Sequence, residues 1–439
     1  MSSNVPQENS RVKPIRGKLT RWQSLAILAT SLVAALTSLL ATVIAQRLLP
    51  GEEVTDFMIF WSAIFAVYGV VSGVQQEVTR AVSSHRVKTA SDASYEAGVY
   101  VVPAAGVIGI IIAVILAITS FGWSSTIFLR DTTSTVVLLC VGAALYAIHS
   151  AYNGASAGRE RWYLYSAIGS AECIWRLVAM AFAGIAIGTS IAIKSAVVST
   201  VLIWFLFVVL SRQGRKNAVA RADVSAKPFL RNVTIAVLSA AASAVLMTGF
   251  PIFMKASESS QDNADAIVTV GVLTLAISLT RSPIMIPLQG FQSVAVSLFL
   301  QNRESPLIAL RKPLLGLLGI GALGAVLAWI IGPFLFRIIY PAKPGQEVVY
   351  DAASAGPVLA LLTFASAVMA LLVLSGTAVL AANEHRLYIL GWGSAAVVSI
   401  LVIFFIPLDI IPRTIFALYV GPLLGFSVNL TGMVALAKR

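Results

Sequence analysis

Four ionisable residues lie deep inside long apolar runs of this sequence. They are His149, Glu172, Arg176 and Arg281. A charged side chain at the centre of a membrane helix is costly, at about 2.5–3.5 kcal/mol for Arg on insertion scales, and such residues usually mark binding sites or ion pathways. These four residues are therefore the first candidates for a functional site.

Arg281 is the leading candidate because it lies about 15 residues into its apolar run, close to the middle of a spanning helix. Pro283 and Pro287 follow it, and each proline removes a backbone donor, so this helix is expected to be bent or broken. A broken helix beside a central charge is a common binding device in transporters. The alternative is a packing helix in which Arg281 only bonds the carbonyls that the prolines free.

Glu172 and Arg176 are four residues apart, so they share one helix face and are expected to form an ion pair. The pair has two possible roles. It is either a structural device that lowers the insertion cost of Arg176, or a cavity-facing site in which Glu172 releases Arg176 when an anion arrives. In the second case a protonatable Glu172 couples transport to protons. His149 is either a hydrogen-bonded packing residue or part of the same site.

With Glu172 neutralising Arg176, Arg281 leaves the centre of the protein net positive. A guanidinium in such a place suits phosphate or pyrophosphate, which it holds through bidentate hydrogen bonds. Near the predicted cytoplasmic mouth, Gln75 and Gln292 offer amides to sugar hydroxyls, although simple solvation explains them equally well.

The sequence contains no pattern for catalysis, metal binding or nucleotide binding. Cys140 and Cys173 both lie inside apolar runs and are expected to be small core residues. No glycine-rich phosphate loop of the GxxxxGK[ST] type occurs. We therefore expect no catalytic residue, no metal and no cofactor.

The composition identifies the class of protein that must position these residues. Of 439 residues, 58% are hydrophobic and only 11% are charged, against about 25% charged in an average soluble domain. The mean hydropathy is +0.88. Disorder requires the opposite composition, so the chain is predicted to be an all-α polytopic membrane protein.

Twelve apolar segments reach the length of about 20 residues that a spanning helix needs. They cover residues 23–46, 54–79, 97–120, 134–157, 163–188, 191–210, 229–254, 266–300, 308–331, 353–381, 386–406 and 414–437. Most of the 31 Lys and Arg residues fall between spans on one side, which predicts that both termini are cytoplasmic. The net charge of +12 therefore reflects membrane topology and requires no nucleic acid.

Two spacing patterns recur in the two halves of the chain, at matching places. Gly73-Val74-Gln75 precedes Arg86 as Gly290-Phe291-Gln292 precedes Arg303, and Arg161-Trp162-Tyr163 matches Arg386-Leu387-Tyr388. A parallel repeat of six spans is predicted, with the substrate site between the halves. The predicted units are a cytoplasmic basic arm (1–22), an N-terminal six-helix bundle (23–211), a cytoplasmic basic linker (212–228) and a C-terminal six-helix bundle (229–439). The linker is either a charged connector or a binder of anionic lipid headgroups.

Four short motifs resemble a known family. They are Gln46-Arg47-Leu48-Leu49-Pro50, Asn153-Gly154 with Gly158-Arg159-Glu160-Arg161, Gly332-Pro333 with Arg337 and Tyr340, and Ala382-Asn383-Glu384-His385-Arg386. With the span count, they resemble the multidrug/oligosaccharidyl-lipid/polysaccharide (MOP) exporter superfamily, and within it the Wzx-type polysaccharide flippases. The resemblance implies two six-helix bundles around a V-shaped cavity and transport by alternating access.

The residues and the resemblance together predict a flippase of the bacterial cytoplasmic membrane and not an enzyme. The expected substrate is a polyprenyl-(pyro)phosphate-linked saccharide moved to the outer leaflet, with Arg281, Arg176, His149, Gln75 and Gln292 as binding residues and Glu172 as the ion-coupling residue. Membrane lipids and glycan-assembly enzymes of the same pathway are the expected partners. The alternatives are a multidrug or cation exporter of the same fold, and a membrane glycosyltransferase or polymerase. The latter would use acids of the first outer loop, such as Asp56, which are otherwise expected to form a solvated turn.

Overall fold

The computed structural model describes residues 21–91, 98–258, 264–301, 306–382 and 384–437. Within these ranges, 12 helices are long and apolar enough to cross a membrane, which confirms the predicted count. The first six are α1 (Arg21–Leu48), α2 (Gly51–Ser91), α3 (Val101–Ser120), α4 (Thr132–Gly158), α5 (Trp162–Ala186) and α6 (Ser190–Leu210). The second six are α7 (Ala226–Glu258), α8 (Ala264–Gln301), α9 (Pro306–Ile339), α10 (Gly356–Ala381), α11 (His385–Phe405) and α12 (Ile410–Ala437).

The helices run back and forth between two ends of the molecule. We call the end at which α1 begins and α2 ends the near end, and the opposite one the far end. Short helices lie between the long ones at Ser124–Ile127, Arg212–Ala218 and Glu347–Ala353. The turn into α6 shows how the sequence sets a boundary. Gly188 adopts a left-handed φ of 74°, and the Thr189 side chain accepts a hydrogen bond from the amide of Ala192.

The two halves pack their helices in the same pairwise pattern. In the first half α1 packs on α5, α2 and α3 both pack on α4, and α5 packs on α6. In the second half α7 packs on α11, α8 and α9 both pack on α10, and α11 packs on α12. The fold is thus two six-helix bundles of matching design. In the second half, α10 is buried because α8 and α9 both pack on it. Of its apolar stretch 83% is buried, against only 6% of that of α9.

Glycine allows close contact between the bundles. Gly73 on α2 lies against the backbone of Ala236 on α7, where a Cβ would come within 2.5 Å of the Ala236 carbonyl carbon. Gly271 on α8 lies equally close to Thr55 on α2. Small residues permit such backbone approach between membrane helices, where packing drives association. Contacts of α2 with α7 and α8, and of α1 with α8, therefore join the halves.

A set of hydrogen bonds joins the halves at the far end, and we call it the far-end clasp. The hydroxyls of Thr42 and Tyr340 are 2.7 Å apart. The Gln46 side-chain amide donates to the carbonyl of Pro341, and Arg47 Nη2 donates to the carbonyl of Ile338 at 2.8 Å. The first motif of the family resemblance therefore contributes two of the three clasp residues on α1.

Of the predicted bend or break after Arg281, the break is wrong, because α8 runs without interruption from Ala264 to Gln301. Each proline removes a single helical hydrogen bond, and neighbouring side chains in a protein interior compensate for such losses.

Residues of the predicted linker pack on the first bundle. The helix Arg212–Ala218 is capped by Ser211, whose side chain accepts a hydrogen bond from the amide of Gly214. Arg161 Nη1 donates to the Asn217 side-chain oxygen at 2.8 Å. Farther along, Asp223 contacts Arg80 and Lys88 of α2, at 3.3 Å from each. The segment is thus held by specific polar contacts.

Candidate functional site

A cavity of about 310 Å³ lies between the bundles, lined by residues of α1, α2, α7 and α8. Its walls are mainly apolar and aromatic, with Ser and Thr hydroxyls distributed among them. Among the described residues that line it, Arg281 is the only charged one. An apolar pocket with a few placed polar groups is the usual form of a ligand site. We call it the central cavity.

Arg281 bonds a freed backbone carbonyl, but not one on its own helix. Its Nη1 donates to the carbonyl of Met247 on α7 at 2.6 Å. Four residues after Met247 the chain has Pro251, which has no N–H, so the usual helical donor to this carbonyl is missing. Met247 also lies in a π-helical turn, Val245–Gly249, a feature frequent at functional sites. Buried Arg281 Nε has no hydrogen-bond partner in the described part of the chain.

Arg281 therefore has features of both roles considered from the sequence, the packing role and the binding role. The residue supports a helix that lacks a backbone donor, and it also lines the central cavity with donor capacity that is not used. Sequence reasoning missed Met247 and Pro251, because their role depends on α7 and α8 being neighbours in space.

The other three deep ionisable residues form one buried cluster. Arg176 Nη2 lies 2.5 Å from Glu172 Oε1, as the four-residue spacing predicted. His149 Nε2 lies 3.3 Å from Glu172 Oε2, so a single carboxylate receives both groups. The Tyr146 ring stacks on both sides, on His149 and on Tyr68, with ring centroids 5.5 and 4.0 Å away. We call His149, Glu172 and Arg176 the α4–α5 cluster.

An aromatic layer separates this cluster from the central cavity. The Arg176 guanidinium lies over the ring of Phe65, 4.9 Å from its centroid, and 6.0 Å from that of Trp61. Both aromatic residues line the central cavity, whereas the three cluster residues do not. The structure thus brings Arg176, Glu172 and His149 together and places them one side chain behind the cavity wall that faces Arg281.

The structure describes the side chain of only one of the two glutamines predicted to bind sugar, Gln75 and Gln292. Gln75 donates to the Tyr165 hydroxyl over a long 3.4 Å and does not line either interior cavity described here. The helix α8 includes Gln292, but its side chain lies outside the described residues. Gln76, the residue after Gln75, lines a second cavity of about 440 Å³. This cavity lies at the near end between α2, α7, α10 and α11. We call it the mouth cavity.

Several buried charges at the far end were missed or misread from the sequence. Asp56 was expected in a solvated turn, but it is 3% exposed and lies 2.5 Å from the fully buried Lys194. Lys194 also donates to Thr135 at 3.0 Å. Lys255 of α7 is buried too and interacts electrostatically with Asp56. These residues lie at the ends of apolar runs, so composition alone placed them in loops.

The described residues contain no group of three or more His, Cys, Asp or Glu side chains arranged to hold a metal ion. Cys140 is partly buried, Cys173 is buried, and neither forms a disulfide.

Comparison with solved structures defines the fold class. The chain superposes on an inward-facing multidrug resistance MATE family transporter of the MOP superfamily with a TM-score of 0.69, at 12% identity, covering 95% of this chain and 99% of that one. For the outward-facing form the TM-score is 0.65, with 95% and 96% covered. A MOP superfamily transporter from Pyrococcus furiosus, described as having a binding pocket of reverse polarity, gives 0.62 at 12% identity, with 95% of each chain covered. The described part of the chain thus has twelve candidate membrane helices arranged in the fold of these MATE transporters.

Comparison of sequences identifies the family to which the chain belongs. No family model matches the chain. It is 33% identical over 427 residues to the uncharacterized protein Rv1510 of Mycobacterium tuberculosis, covering 97% of this chain and 92% of that protein. It is 32% identical over 406 residues to the uncharacterized protein Rv3630 of the same species and to Mb3654 of Mycobacterium bovis, covering 92% and 90%. The chain belongs to the family of these mycobacterial proteins.

Proposed function

We propose that this protein is a flippase that carries a polyprenyl-(pyro)phosphate-linked saccharide from the inner to the outer leaflet by alternating access. Its product would serve the synthesis of cell-envelope polysaccharide or glycolipid. The observation that carries the proposal is the position of Arg281. Within the described residues it is the only charged side chain lining the central cavity, and its buried Nε has no hydrogen-bond partner there.

The charge of the central cavity selects the class of cargo. In the cluster behind its wall, Glu172 offsets Arg176. Arg281 therefore gives the cavity a net positive charge, which suits a phosphate or pyrophosphate group held through bidentate hydrogen bonds. The membrane potential, negative inside, favours outward movement of an anion by about 2.3 kcal/mol per charge per 100 mV. A hydrophobic tail remains in the lipid while the headgroup crosses.

We assign the ion-coupling role to Glu172. Its carboxylate receives both Arg176 and His149, so a proton on Glu172 would weaken both contacts at once. Movement of Arg176 would be transmitted to the central cavity through the rings of Phe65 and Trp61. In this proposal Arg176 and His149 act on the cargo through the cavity wall, and Arg281 contacts it directly.

A cation exporter is the second candidate, and the fold similarity to multidrug resistance MATE transporters favours it. Such a cargo requires a carboxylate facing the cavity, and the described lining contains none. The enzyme alternative has less support, because Asp56 is buried in an ion pair with Lys194 and is not free for sugar transfer. We place the protein in the bacterial cytoplasmic membrane with both termini cytoplasmic, and we propose membrane lipids and glycan-assembly enzymes as its partners.

The proposal is tested by mass spectrometry of lipid-linked saccharides in cells depleted of the protein. An impermeant glycosidase added to spheroplasts reports the leaflet on which any accumulated species lies. We expect one intact lipid-linked saccharide to accumulate on the inner leaflet. Accumulation of an incomplete species on the outer leaflet would indicate an enzyme instead, and unchanged lipid-linked saccharides would favour the cation exporter.

Complementation of the depleted cells tests Arg281. We expect Arg281→Ala to be expressed normally and to leave the saccharide on the inner leaflet, because the central cavity then has no cation. Arg337→Ala is the matched control, since Arg337 pairs with Asp351 at an exposed site. Normal transport by Arg281→Ala would remove this residue from the mechanism.

A further inference from the structure

The mouth cavity has a different chemistry from the central cavity. Both bundles contribute to it, with Gln76, Glu77 and Arg80 on α2, Asn232 on α7, and Tyr388 on α11. Along α2 the nearest lining residues of the two cavities are Phe65 and Gln76, which are eleven residues apart. This corresponds to about 16 Å at the rise of an α-helix. The two cavities are therefore distinct places on one path between the bundles.

Apart from the imidazole of His385, the charged side chains that line the mouth cavity are Glu77 and Arg80, and these two are paired with each other. Glu77, which is 6% exposed, holds Arg80 through both carboxylate oxygens, at 2.6 and 2.8 Å. Arg80 also contacts Asp223, which in turn contacts Lys88. The two carboxylates and two cations cancel formally. A free anion arriving here would meet carboxylates as well as cations, unlike at Arg281.

What remains available in the mouth cavity is neutral hydrogen-bonding capacity. Asn232 donates one bond to Glu77 Oε1 at 3.2 Å, which leaves its amide oxygen and a second amide hydrogen. The Gln76 side chain is exposed to the cavity. Sugar hydroxyls are donors and acceptors at once, so they match side-chain amides that offer both. The ring of Tyr388 adds an amphipathic surface suited to the C–H faces of a sugar.

We propose that the mouth cavity is a saccharide-binding subsite, in which Gln76 and Asn232 hydrogen-bond the uncharged sugar part of the cargo. The buried Glu77 carboxylate, which is paired with Arg80, fixes Asn232 in place through their hydrogen bond. That the sugar belongs to a lipid-linked cargo rests on the proposed function, but sugar binding at this cavity is a separate property. The protein then recognises its cargo at two points, by sugar in the mouth cavity and by phosphate at Arg281.

The test uses the full chain purified in lipid nanodiscs. The probe is the water-soluble oligosaccharide that mild acid releases from the lipid-linked saccharides of the producing cells, labelled with a neutral fluorophore and followed by fluorescence anisotropy. We expect Gln76→Ala with Asn232→Ala to weaken its binding about tenfold or more, the effect of losing two or more neutral hydrogen bonds. Inorganic pyrophosphate is the second probe, and Arg281→Ala should weaken its binding.

Two controls keep the result specific. Gln213→Ala removes an exposed near-end amide outside the mouth cavity and should have no effect. The single variant Gln76→Ala changes only an exposed side chain, so it tests the subsite even if the double variant is poorly folded. Equal oligosaccharide binding by wild type and Gln76→Ala, or no binding by wild type, would overturn the inference. If the flippase proposal fails while these variants still weaken sugar binding, the subsite stands alone.

Discussion

At the scale of single residues, the sequence predicted which side chains matter better than it predicted what they contact. The four-residue spacing correctly predicted the contact between Glu172 and Arg176. It could not reveal that His149, on another helix, approaches the same carboxylate. Nor could it show that the rings of Phe65 and Trp61 separate the α4–α5 cluster from the central cavity. Both facts depend on how α2, α4 and α5 are rotated about their axes, which a hydropathy pattern does not specify.

The buried pair makes a direct prediction about stability. Glu172→Gln leaves Arg176 buried without a counter-charge, and breaking a buried pair in this way costs about 3–5 kcal/mol. We expect the free energy of unfolding of the detergent-solubilised protein to fall by about this amount, measured by denaturant titration. Arg337→Gln, which breaks an exposed pair, should cost at most about 1 kcal/mol.

A double variant separates the structural role of the pair from the functional one. Replacing both members, as Glu172→Met with Arg176→Met, removes both buried charges and should restore most of the lost stability. We expect this variant to fold and to fail in the leaflet assay. If it transports the saccharide normally, the pair is structural and Glu172 has no coupling role.

At the scale of elements, the twelve spans followed from composition and helix length, whereas the two-bundle architecture followed from the internal repeat and the family resemblance. The details that differed depend on long-range contacts. The helix α8 continues through Pro283, and the segment after α6 is pinned to the first bundle. Arg159 and Arg161 donate to carbonyls of Lys216 and Gln213 and to Asn217, contacts that no local pattern indicates.

Asp223, which ties this segment to α2, gives a pH prediction. Burial alone would raise the pKa of Asp223, but hydrogen bonds from Ser84, Arg80 and Lys88 outweigh this effect and lower it below the ordinary value. The stabilisation is therefore fully present above the unfolded-state pKa of about 3.9 and is lost as the pH falls through the lower folded-state pKa. At pH 7 we expect Asp223→Asn to cost about 1.5–3 kcal/mol, the range for a hydrogen bond to a charged group.

The pH dependence is measured by thermal unfolding of wild type and Asp223→Asn between pH 7 and pH 3. The difference between them should shrink as the pH falls below about 4, because the wild-type carboxylate becomes protonated. Glu160 titrates in the same direction, since its hydrogen bond with Arg86 lowers its pKa, but it does so in both proteins and cancels in the comparison. A difference that stays constant over this pH range would contradict the assignment.

At the scale of the whole molecule, the far-end clasp and the mouth cavity show how the two halves are arranged at each end. The halves are hydrogen-bonded to each other at the far end through Thr42, Gln46 and Arg47, and a cavity lies between them at the near end. Alternating access requires the clasp to open. The resemblance seen in the sequence drew attention to Gln46 and Arg47, but their partners lie about 290 residues away in the chain, so only the fold reveals the contact.

Locking the clasp should stop transport. In a background with Cys140→Ala and Cys173→Ala, we expect Arg47→Cys with Ile338→Cys to transport the saccharide until a short bifunctional thiol reagent is added, and then to stop. The control pair is Thr30→Cys with Ser170→Cys, whose side chains meet at 3.1 Å within the first bundle. Cross-linking this pair joins helices that move together and should leave transport intact. Continued transport by the cross-linked clasp variant would mean that the far end does not open.

The bond between Arg281 and the Met247 carbonyl means that the resting protein already holds a substitute for its cargo. In our proposal an arriving phosphate competes for the guanidinium with an oxygen of the protein itself. Its affinity is then the difference between two hydrogen-bonding arrangements and not the full strength of one. Such an exchange keeps binding moderate, so the same residue can capture the headgroup on one side and let it go on the other. Return of Arg281 to the carbonyl then helps to expel the cargo and resets the empty carrier.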